Sequence, residues 1–385
     1  MSDLARRLDV PFPLFAFSHC RDVVAAVSRA GGFGVLGIVN FEPDQLEREL
    51  AWIDAHVDGR PYGVDILMPE MIAHDYSDQQ LDEMRAEVPD EHVAFVSTLM
   101  ASRGLDGAPG GDPRNLLGMP GASLQRRTAL AMLDVVFRHP VRMIVNALGV
   151  PPGEVFDGAH PRGILIGALA GSADHARRHA AAGVDVIVAQ GGEGGGHCGE
   201  VSTLVLIPEV VRAMRDFGDL PVLAAGGIVT GRQMAACVAM GAAGAWTGSV
   251  WLATPESEVS NTFREKMVAA RSRDTVRSKG RTGKYSRQLR SAWTDAWDSP
   301  GSPKPLPMPL QSIVTENALA IVHREADKNV AGARELATYW VGQGVGLIDQ
   351  VRPAARVVQD FREDFAEALG AIDSFVATLD AQDRP

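Results

Sequence analysis

A repeated alternation of short apolar runs with longer helical patterns constrains the fold of this chain most strongly. The apolar runs that predict strands lie at 13–17, 33–39, 62–68, 141–148, 163–169, 184–190, 221–228 and 243–253. Apolar residues at helical spacing follow most of them, as in 43–57. Strands that alternate with helices form parallel sheets. Eight such units predict an α/β fold, a (β/α)8 TIM barrel, with an open doubly wound sheet as the alternative.

Two segments depart from this rhythm. Residues 69–140 are too long for an ordinary connection and contain the glycine-rich run GLDGAPGGDPRNLLGMPGAS. We interpret them as an insertion after the third strand, either a lid or an oligomer contact. Residues 261–385 are mostly helical in pattern and predict a C-terminal extension packed on a barrel of 1–68 and 141–260. A barrel with such an extension is also compatible with a homodimer.

Charge and composition exclude several classes of partner. The net charge is −11 and no dense run of lysine and arginine is present, which argues against nucleic acid. No stretch approaches the roughly 20 uninterrupted apolar residues of a membrane helix. The three cysteines lack paired spacing, and the start MSDLARRLDVPF lacks an apolar signal core. We therefore expect a cytoplasmic protein that works on small molecules.

One stretch is basic. It runs from 271 to 290 and contains Arg271, Arg273, Arg277, Lys279, Arg281, Lys284, Arg287 and Arg290. Such a run is usually a solvated face of a helix or loop. The alternative is a patch that meets an anionic tail of the substrate.

Glycine-rich segments follow three of the predicted strands. The run AQGGEGGGHCGE (189–200) follows the sixth strand, AAGGI ends the seventh, and WTGS ends the eighth. In a TIM barrel these carboxyl ends build the active site, and a phosphate group usually lies after strands seven and eight. Gly226, Gly227, Gly248 and Ser249 are therefore predicted to hold a phosphate with their backbone N–H groups.

A phosphate at this position, with a glycine loop after strand six, suits flavin mononucleotide (FMN). We interpret 191–199 as a loop that faces the isoalloxazine ring. His197 ends the glycine run, and imidazole exchanges protons near neutral pH, so His197 is the catalytic candidate. Glu193 is expected either to orient His197, to line the pocket, or to be solvated. Cys198 is expected to pack. No second histidine lies at metal-ligand spacing from His197, so no metal is expected.

These segments resemble the FMN-dependent nitronate monooxygenase family, formerly called 2-nitropropane dioxygenases, whose superfamily includes flavin-dependent enoyl-acyl-carrier-protein reductases. The resemblance is strongest over 140–257 and extends to RAGGFGVLG, YGVDILMP and the later YWVGQGVGL. It implies a TIM barrel, bound FMN and His197 as the active-site histidine. It also implies phosphate contacts at the four residues above and flavin contacts near Gln190 and Gly195. Within the matching blocks we add Gly196, Ala225 and Thr247 to the expected cofactor contacts.

The resemblance implies one reaction and leaves another open. The first is oxidation of an alkyl nitronate with O2 to a carbonyl compound and nitrite, with His197 removing the α-proton of a neutral nitroalkane. The alternative is NAD(P)H-dependent reduction of an unsaturated acyl thioester, with His197 supplying a proton. A flavin-binding protein without enzymatic activity is the minor alternative.

Three features depart from the family pattern. Ala16, Phe17 and Ser18 stand where a proline-methionine pair commonly borders the flavin. Asp65 replaces a frequent asparagine, and a negative charge there would disfavour an anionic substrate. The insertion 69–140 is also not standard. We expect Ala16, Phe17 and Asp65 near the cofactor, and Ser18, Glu193 and Gln343 near the substrate.

Overall fold

The computed structural model describes residues 3–39, 41–68, 78–106 and 126–382. The strands are β1 (Leu14–Ser18), β2 (Phe33–Gly37), β3 (Tyr62–Ile66), β4 (Met143–Asn146), β5 (Leu165–Ala170), β6 (Val186–Gln190), β7 (Gly196–His197), β8 (Val222–Ala225), β9 (Gly244–Thr247), β10 (Thr275–Ser278) and β11 (Ser286–Leu289). The helices are α1 (Asp3–Arg7), α2 (Arg21–Arg29), α3 (Pro43–His56), α4 (Asp78–Ala86), α5 (Asp90–Ala101), α6 (Arg126–Val136), α7 (Gly153–Ala159), α8 (Ala173–Ala182), α9 (Thr203–Met214), α10 (Gly231–Ala239), α11 (Ser249–Leu252), α12 (Asn261–Val268), α13 (Ala292–Trp297), α14 (Leu310–Asp327), α15 (Ala331–Leu336) and α16 (Ala354–Gln382). Short 3₁₀ turns lie at His160–Arg162, Arg215–Phe217, Ser272–Asp274 and Gln343–Leu347.

Eight parallel strands close into a barrel. The order is β1-β2-β3-β4-β5-β6-β8-β9, and β9 pairs back with β1, where Phe15 is the partner of Trp246. Helices connect successive strands along the outside. The closure confirms the predicted TIM barrel and excludes the open doubly wound sheet.

The barrel interior is a separate apolar core. Because side chains alternate between the two faces of a strand, every second residue points inward. Phe15, Phe33, Val35 and Met143 belong to this buried interior cluster. Gly63 makes room for it, since a Cβ there would lie 2.8 Å from the ring of Phe33. The filled interior leaves the strand ends as the place for a site.

The insertion after β3 is helical where the structure describes it. Helices α4, α5 and α6 lie between β3 and β4, and α5 packs against α14. Most of the glycine-rich run 104–123 lies outside the described residues, as do 69–77. The role of the insertion as a lid or an oligomer contact stays a prediction, and so do the segment limits at 68, 141 and 260.

The segment after the barrel contains a β-hairpin that the sequence analysis did not expect. Strands β10 and β11 pair antiparallel, and β11 also pairs with the two-residue strand β7 inside the glycine loop. In this pairing Ser286 is the partner of His197. The C-terminal segment therefore reaches the predicted catalytic residue through a backbone ladder.

The last helix ties the C-terminal segment to the barrel. Helix α16 packs against α10 and α2, and a Cβ at Gly231 would lie 2.7 Å from the backbone nitrogen of Phe365. Glycine at 231 thus allows the two helices to approach closely. None of the helices in the described ranges has both the length and the apolar character needed to cross a membrane.

Candidate active site

The mouth of the barrel is bordered by Phe17 and Asp65, on β1 and β3. Phe17 belongs to the interior set and stacks on Trp246 at 6.2 Å between ring centroids. The side chains of its neighbours point the other way. Ala16 lies in the core between strands and helices, and the hydroxyl of Ser18 accepts a hydrogen bond from the N–H of Cys20 at 3.1 Å. Of the three first-strand residues, only Phe17 presents its side chain to the mouth.

Asp65 is a carboxyl group buried without a described partner. Its register partners are Gly37 on β2 and Val145 on β4, and Val145 belongs to the interior cluster, so Asp65 points inward. Asp65 is 7% exposed, and its carboxyl oxygens make no hydrogen bond to any of the described residues. Burial raises the pKa of Asp65 well above its usual value. Burial thus favours the protonated, uncharged form of Asp65, whereas the sequence analysis expected a negative charge there.

Glu193 caps a helix instead of orienting the histidine. Its Oε2 accepts hydrogen bonds from the N–H and the hydroxyl of Thr203, at 2.8 and 2.9 Å. Thr203 begins α9, where backbone N–H groups lack partners and favour a carboxylate. The carbonyl of Glu193 accepts from the N–H of Gln343 at 2.8 Å. Glu193 therefore fixes the glycine loop to both α9 and the C-terminal segment.

A buried arginine holds the glycine loop from the hairpin. Arg287 on β11 donates from Nε and Nη2 to the carbonyl of Gly192, at 3.0 and 2.8 Å. Its Nη1 donates to the hydroxyl of Thr275 at 3.1 Å. Arg287 is 9% exposed, so this part of the basic stretch is not a solvated face. Cys198 makes a long contact to the same carbonyl at 3.5 Å, in agreement with a packing role.

The glycines of the loop allow close packing against other backbone. A Cβ at Gly195 would lie 2.7 Å from the backbone nitrogen of Gly342, and one at Gly194 would lie 2.6 Å from Nε2 of Gln190. Gly196 has φ +73°, a left-handed conformation that favours glycine. Part of the glycine content is thus explained by contacts within the protein, with Gln190 at the end of β6 beside the loop.

His197 lies between the hairpin and Trp340. Its Nε2 is 2.8 Å from Oγ1 of Thr282, and its ring centroid is 5.5 Å from that of Trp340. Desolvation, followed by the positive charges of Lys284 and Arg281, lowers the pKa of His197. The residue as a whole is nevertheless exposed. His197 is therefore neutral at pH 7 and accessible to a ligand.

Unpaired backbone donors gather after β8 and β9. The N–H groups of Gly227, Ile228, Gly248 and Ser249 make no hydrogen bond to a described residue. Gly226 and Gly227 have φ +107° and +71°, and the Gly227 carbonyl accepts from Nε2 of Gln233 at 3.0 Å. Donors left unpaired in this way attract an anion. The described atoms thus fit the predicted phosphate group.

The remaining predicted contacts are mostly structural. Thr247 donates to the carbonyl of Phe15 at 3.0 Å and accepts from Nε1 of Trp251 at 2.9 Å. The hydroxyl of Ser249 accepts from the N–H of Gly342 at 2.8 Å, and Ala225 is buried in the barrel interior. We call the unpaired donors after β8 and β9 the predicted phosphate cradle. A cavity of about 340 Å³ opens beside it. Its lining includes Glu193, Gly226, Gly227 and Gln343.

Sequence reasoning named none of the residues that the C-terminal segment brings to the site as site residues: Thr282, Arg287, Trp340 and Gly342. Arg287 lies in the basic stretch, and Trp340 and Gly342 lie in the matching segment YWVGQGVGL. A signal existed for the hairpin, because RTGK lies between two short runs and contains the left-handed Gly283. Nothing in the local sequence gives its pairing with β7, which joins residues about 90 positions apart in the chain.

The fold and site together define a class: a TIM barrel with unpaired backbone donors after β8 and β9 and a histidine in the glycine loop after β6. Comparison with known proteins identifies the family within this class. A model of the family described as nitronate monooxygenase matches residues 17–364, and the chain belongs to that family. It is a flavin-dependent oxidoreductase.

Three similar proteins cover nearly the whole chain. The chain is 49% identical over 374 residues to “Putative monooxygenase Rv1533” of Mycobacterium tuberculosis, covering 97% of this chain and 98% of that relative. It is similar to a nitroalkane oxidase from Streptomyces ansochromogenes, with TM-score 0.76, 26% identity, and coverage of 96% and 99%. It is also similar to FabK from Thermotoga maritima, with TM-score 0.71, 26% identity, and coverage of 97% and 99%.

Proposed function

We propose that the flavin is FMN and that its phosphate is bound by the N–H groups after β8 and β9. The support is the set of unpaired donors at Gly227, Ile228, Gly248 and Ser249. Gly248 leaves space above it, since a Cβ there would meet only the ring of Phe17, at 3.9 Å. Burial favours the protonated form of Asp65, and a protonated carboxyl both donates and accepts hydrogen bonds, which suits the polar edge of a flavin ring.

We further propose that the enzyme oxidises alkyl nitronates with O2 to carbonyl compounds and nitrite. When bound, FMN supplies the ring that accepts electrons from the substrate. The observation that carries the proposal is His197, neutral and exposed at the mouth beside the phosphate cradle. The likeness to a nitroalkane oxidase supports a substrate of this class.

We infer from the hydrogen bonds that Nδ1 is the reactive nitrogen of His197. The hydroxyl of Thr282 donates to the carbonyl of Lys284 at 3.3 Å, so it accepts from the N–H at Nε2 of His197. Nδ1 then carries the lone pair, and no described residue occupies it. His197 would remove the α-proton of a neutral nitroalkane with Nδ1, while its Nε2–H group continues to donate to the hydroxyl of Thr282.

Asp65 is compatible with an anionic substrate. A nitronate carries a negative charge, and an ionised carboxylate at the mouth would repel it. Burial raises the pKa of the Asp65 carboxyl well above its usual value, which favours the protonated form and weakens this repulsion. The positive charges of Lys284 and Arg281 near His197 also favour an anion.

Replacement of His197 by Asn tests the proposal. We expect nitrite release from a neutral nitroalkane to fall by about 10²-fold or more, the usual contribution of a general base. With the preformed nitronate, which needs no deprotonation, the fall is expected to be much smaller. The matched control is His175→Asn on the outer face of α8, where His175 is exposed. Equal loss with both substrates would exclude His197 as the base.

A second candidate function is reduction of an unsaturated acyl thioester by NAD(P)H. Two observations favour it: the likeness to FabK, and the cations of the hairpin that lie beside His197. Anaerobic mixing separates the two functions. Rapid bleaching of the flavin by a nitronate but not by NADH or NADPH supports the oxidase, and the reverse supports the reductase.

We also infer that the chain pairs with a second copy. The end of α16 exposes apolar residues at helical spacing: Leu369, Ile372, Phe375, Val376 and Leu379. Such an exposed row indicates an interface, and the C-terminal extension was the element expected to support pairing. Sedimentation of the Phe375→Glu variant is expected to show a monomer where the wild type is a dimer. A monomeric wild type would refute this inference.

A further inference from the structure

The hairpin loop 279–285 has an unusual concentration of positive charge. From Thr275 to Thr294 the chain carries six lysines and arginines and no acidic residue, although the whole protein has a net charge of −11. The cations on or next to the loop are Arg277, Lys279, Arg281 and Lys284. The loop adjoins β11, whose Ser286 is the register partner of His197. This charge is therefore next to the catalytic candidate.

The cations are arranged around two exposed aromatic rings. Nζ of Lys279 lies 4.8 Å from the ring centroid of Tyr285, and Cζ of Arg277 lies 5.1 Å from it. Cζ of Arg281 lies 4.1 Å from the ring of Trp340. Tyr285 and Trp340 are 47% and 37% exposed. Rings with this much open surface can stack on a planar ligand group.

Three consecutive carbonyl groups of the loop, those of residues 279–281, are occupied by hydrogen bonds within the protein. The Lys279 carbonyl accepts from the N–H of Gly283, and the Gly280 carbonyl accepts from Nε1 of Trp293. The Arg281 carbonyl accepts from the hydroxyl of Thr315 at 2.6 Å. These acceptors therefore do not face an incoming anion, and the cationic side chains are held on an ordered frame.

Only part of the positive charge is neutralised. Arg277 lies 3.7 Å from the exposed carboxylate of Glu200, and Glu316 interacts with Arg281. Lys279 and Lys284 have no ion pair with any residue in the described ranges. Nε of Arg277 is buried without a hydrogen-bond partner among those residues. The cluster thus retains donors and charge for a ligand.

We propose that loop 279–285 binds the phosphates and base of an adenine nucleotide tail carried by the substrate or reductant of the flavin site. Phosphates pair with lysine and arginine through charge-assisted hydrogen bonds, and adenine stacks on tyrosine or tryptophan. Two molecules share this chemistry: a pantetheine-linked nucleotide with a 3′-phosphate, and a nicotinamide dinucleotide with a 2′-phosphate. The inference rests on the second candidate function, since an alkyl nitronate and O2 carry no nucleotide.

Calorimetric titration of the flavin-loaded protein tests the site without turnover. The probes are adenosine 3′,5′-bisphosphate, adenosine 2′,5′-bisphosphate and adenosine. We expect at least one bisphosphate to bind, more weakly as salt rises, and adenosine to bind at least about tenfold more weakly. Tighter binding of the 3′,5′ isomer identifies the pantetheine-linked nucleotide as the source, and tighter binding of the 2′,5′ isomer identifies the nicotinamide dinucleotide. Failure of both bisphosphates to bind at millimolar concentration would overturn the proposal.

Variants locate the binding. Lys279→Ala with Lys284→Ala is expected to raise the dissociation constant of the preferred bisphosphate by about tenfold or more. Arg290→Ala, an exposed cation of the same stretch paired with Asp295, should leave it unchanged. Unaltered binding in the double variant would overturn the proposal, with flavin absorbance confirming that each variant is folded. Nitrite release by a wild type that binds no bisphosphate would refute this site alone and leave the proposed function standing.

Discussion

The barrel and the C-terminal segment hold the same glycine loop by different means. The barrel holds the start of the loop through regular strand pairing. For example, Gln190 at the end of β6 is the register partner of Ala225 on β8. The C-terminal segment holds its middle through single contacts, such as Arg287 to Gly192 and Gln343 to Glu193. The comparison teaches that the barrel sets where the loop is, whereas the later segment sets its shape and the environment of His197.

Of the changes proposed below, replacement of the buried Arg287 should have the largest effect, because it removes a contact between the C-terminal segment and the glycine loop. Arg287→Met leaves the carbonyl of Gly192 without its two donors, and a lost buried charged hydrogen bond costs about 3 kcal/mol. The free energy of unfolding in urea should fall by about that amount. Arg290→Met is the control, since Arg290 is exposed and paired at the surface, and should change it by less than about 0.5 kcal/mol. Equal effects would show that the hairpin contact is not important to the fold.

The contribution of the barrel to FMN binding is tested at Gly227, a glycine of the predicted phosphate cradle. Gly227→Ala introduces a Cβ at φ +71° and 2.9 Å from the Cβ of Glu193, so the cradle must shift. We expect FMN to dissociate about tenfold more readily, which corresponds to ~1.4 kcal/mol.

Gly163→Ala is the matched control for this change. Gly163 has φ +69°, and no atom lies within 4 Å of the added Cβ. Both variants should lose about 1 kcal/mol of stability from the backbone, but only Gly227→Ala should lose FMN affinity. Fluorescence titration of FMN measures the difference, and equal affinities would place the phosphate elsewhere.

The smallest expected effect is a shift in the pH profile. Lys284 is one of the charges that lower the pKa of His197, so Lys284→Gln raises that pKa. As the proposed base, His197 must be neutral to accept a proton, so activity is expected to be lost as pH falls through its pKa. The acid limb of kcat/KM for a neutral nitroalkane should therefore move to higher pH in the variant. An unchanged limb would mean that His197 does not produce it.

The difference between the barrel and the C-terminal segment also explains how much of the fold and site could be predicted from the sequence. The strands of the barrel follow from local apolar periodicity, and the glycine runs mark the ends of β6, β8 and β9. The role of Glu193 was not predictable, because its partner Thr203 becomes its neighbour only when the loop folds back on α9. The raised pKa of Asp65 was not predictable either, because it depends on burial, and the sequence shows a carboxyl group but not its surroundings.

The hairpin lay beyond local prediction for a related reason. Strands β10 and β11 have four residues each, and β7 has two, so none gives a clear periodic signal. Thr282 reaches His197 across 85 positions in sequence. Contacts of this range depend on the packing of the whole C-terminal segment, which is why the basic stretch left two interpretations open.

The ratio of the dissociation constants of riboflavin and FMN tests the central claim most directly. The two ligands share the ring and differ in the phosphate, which the N–H groups of Gly227, Ile228, Gly248 and Ser249 are proposed to bind. We expect the protein to bind FMN about 100-fold more tightly than riboflavin, as several charge-assisted hydrogen bonds would provide. Equal affinities for the two ligands would contradict the account.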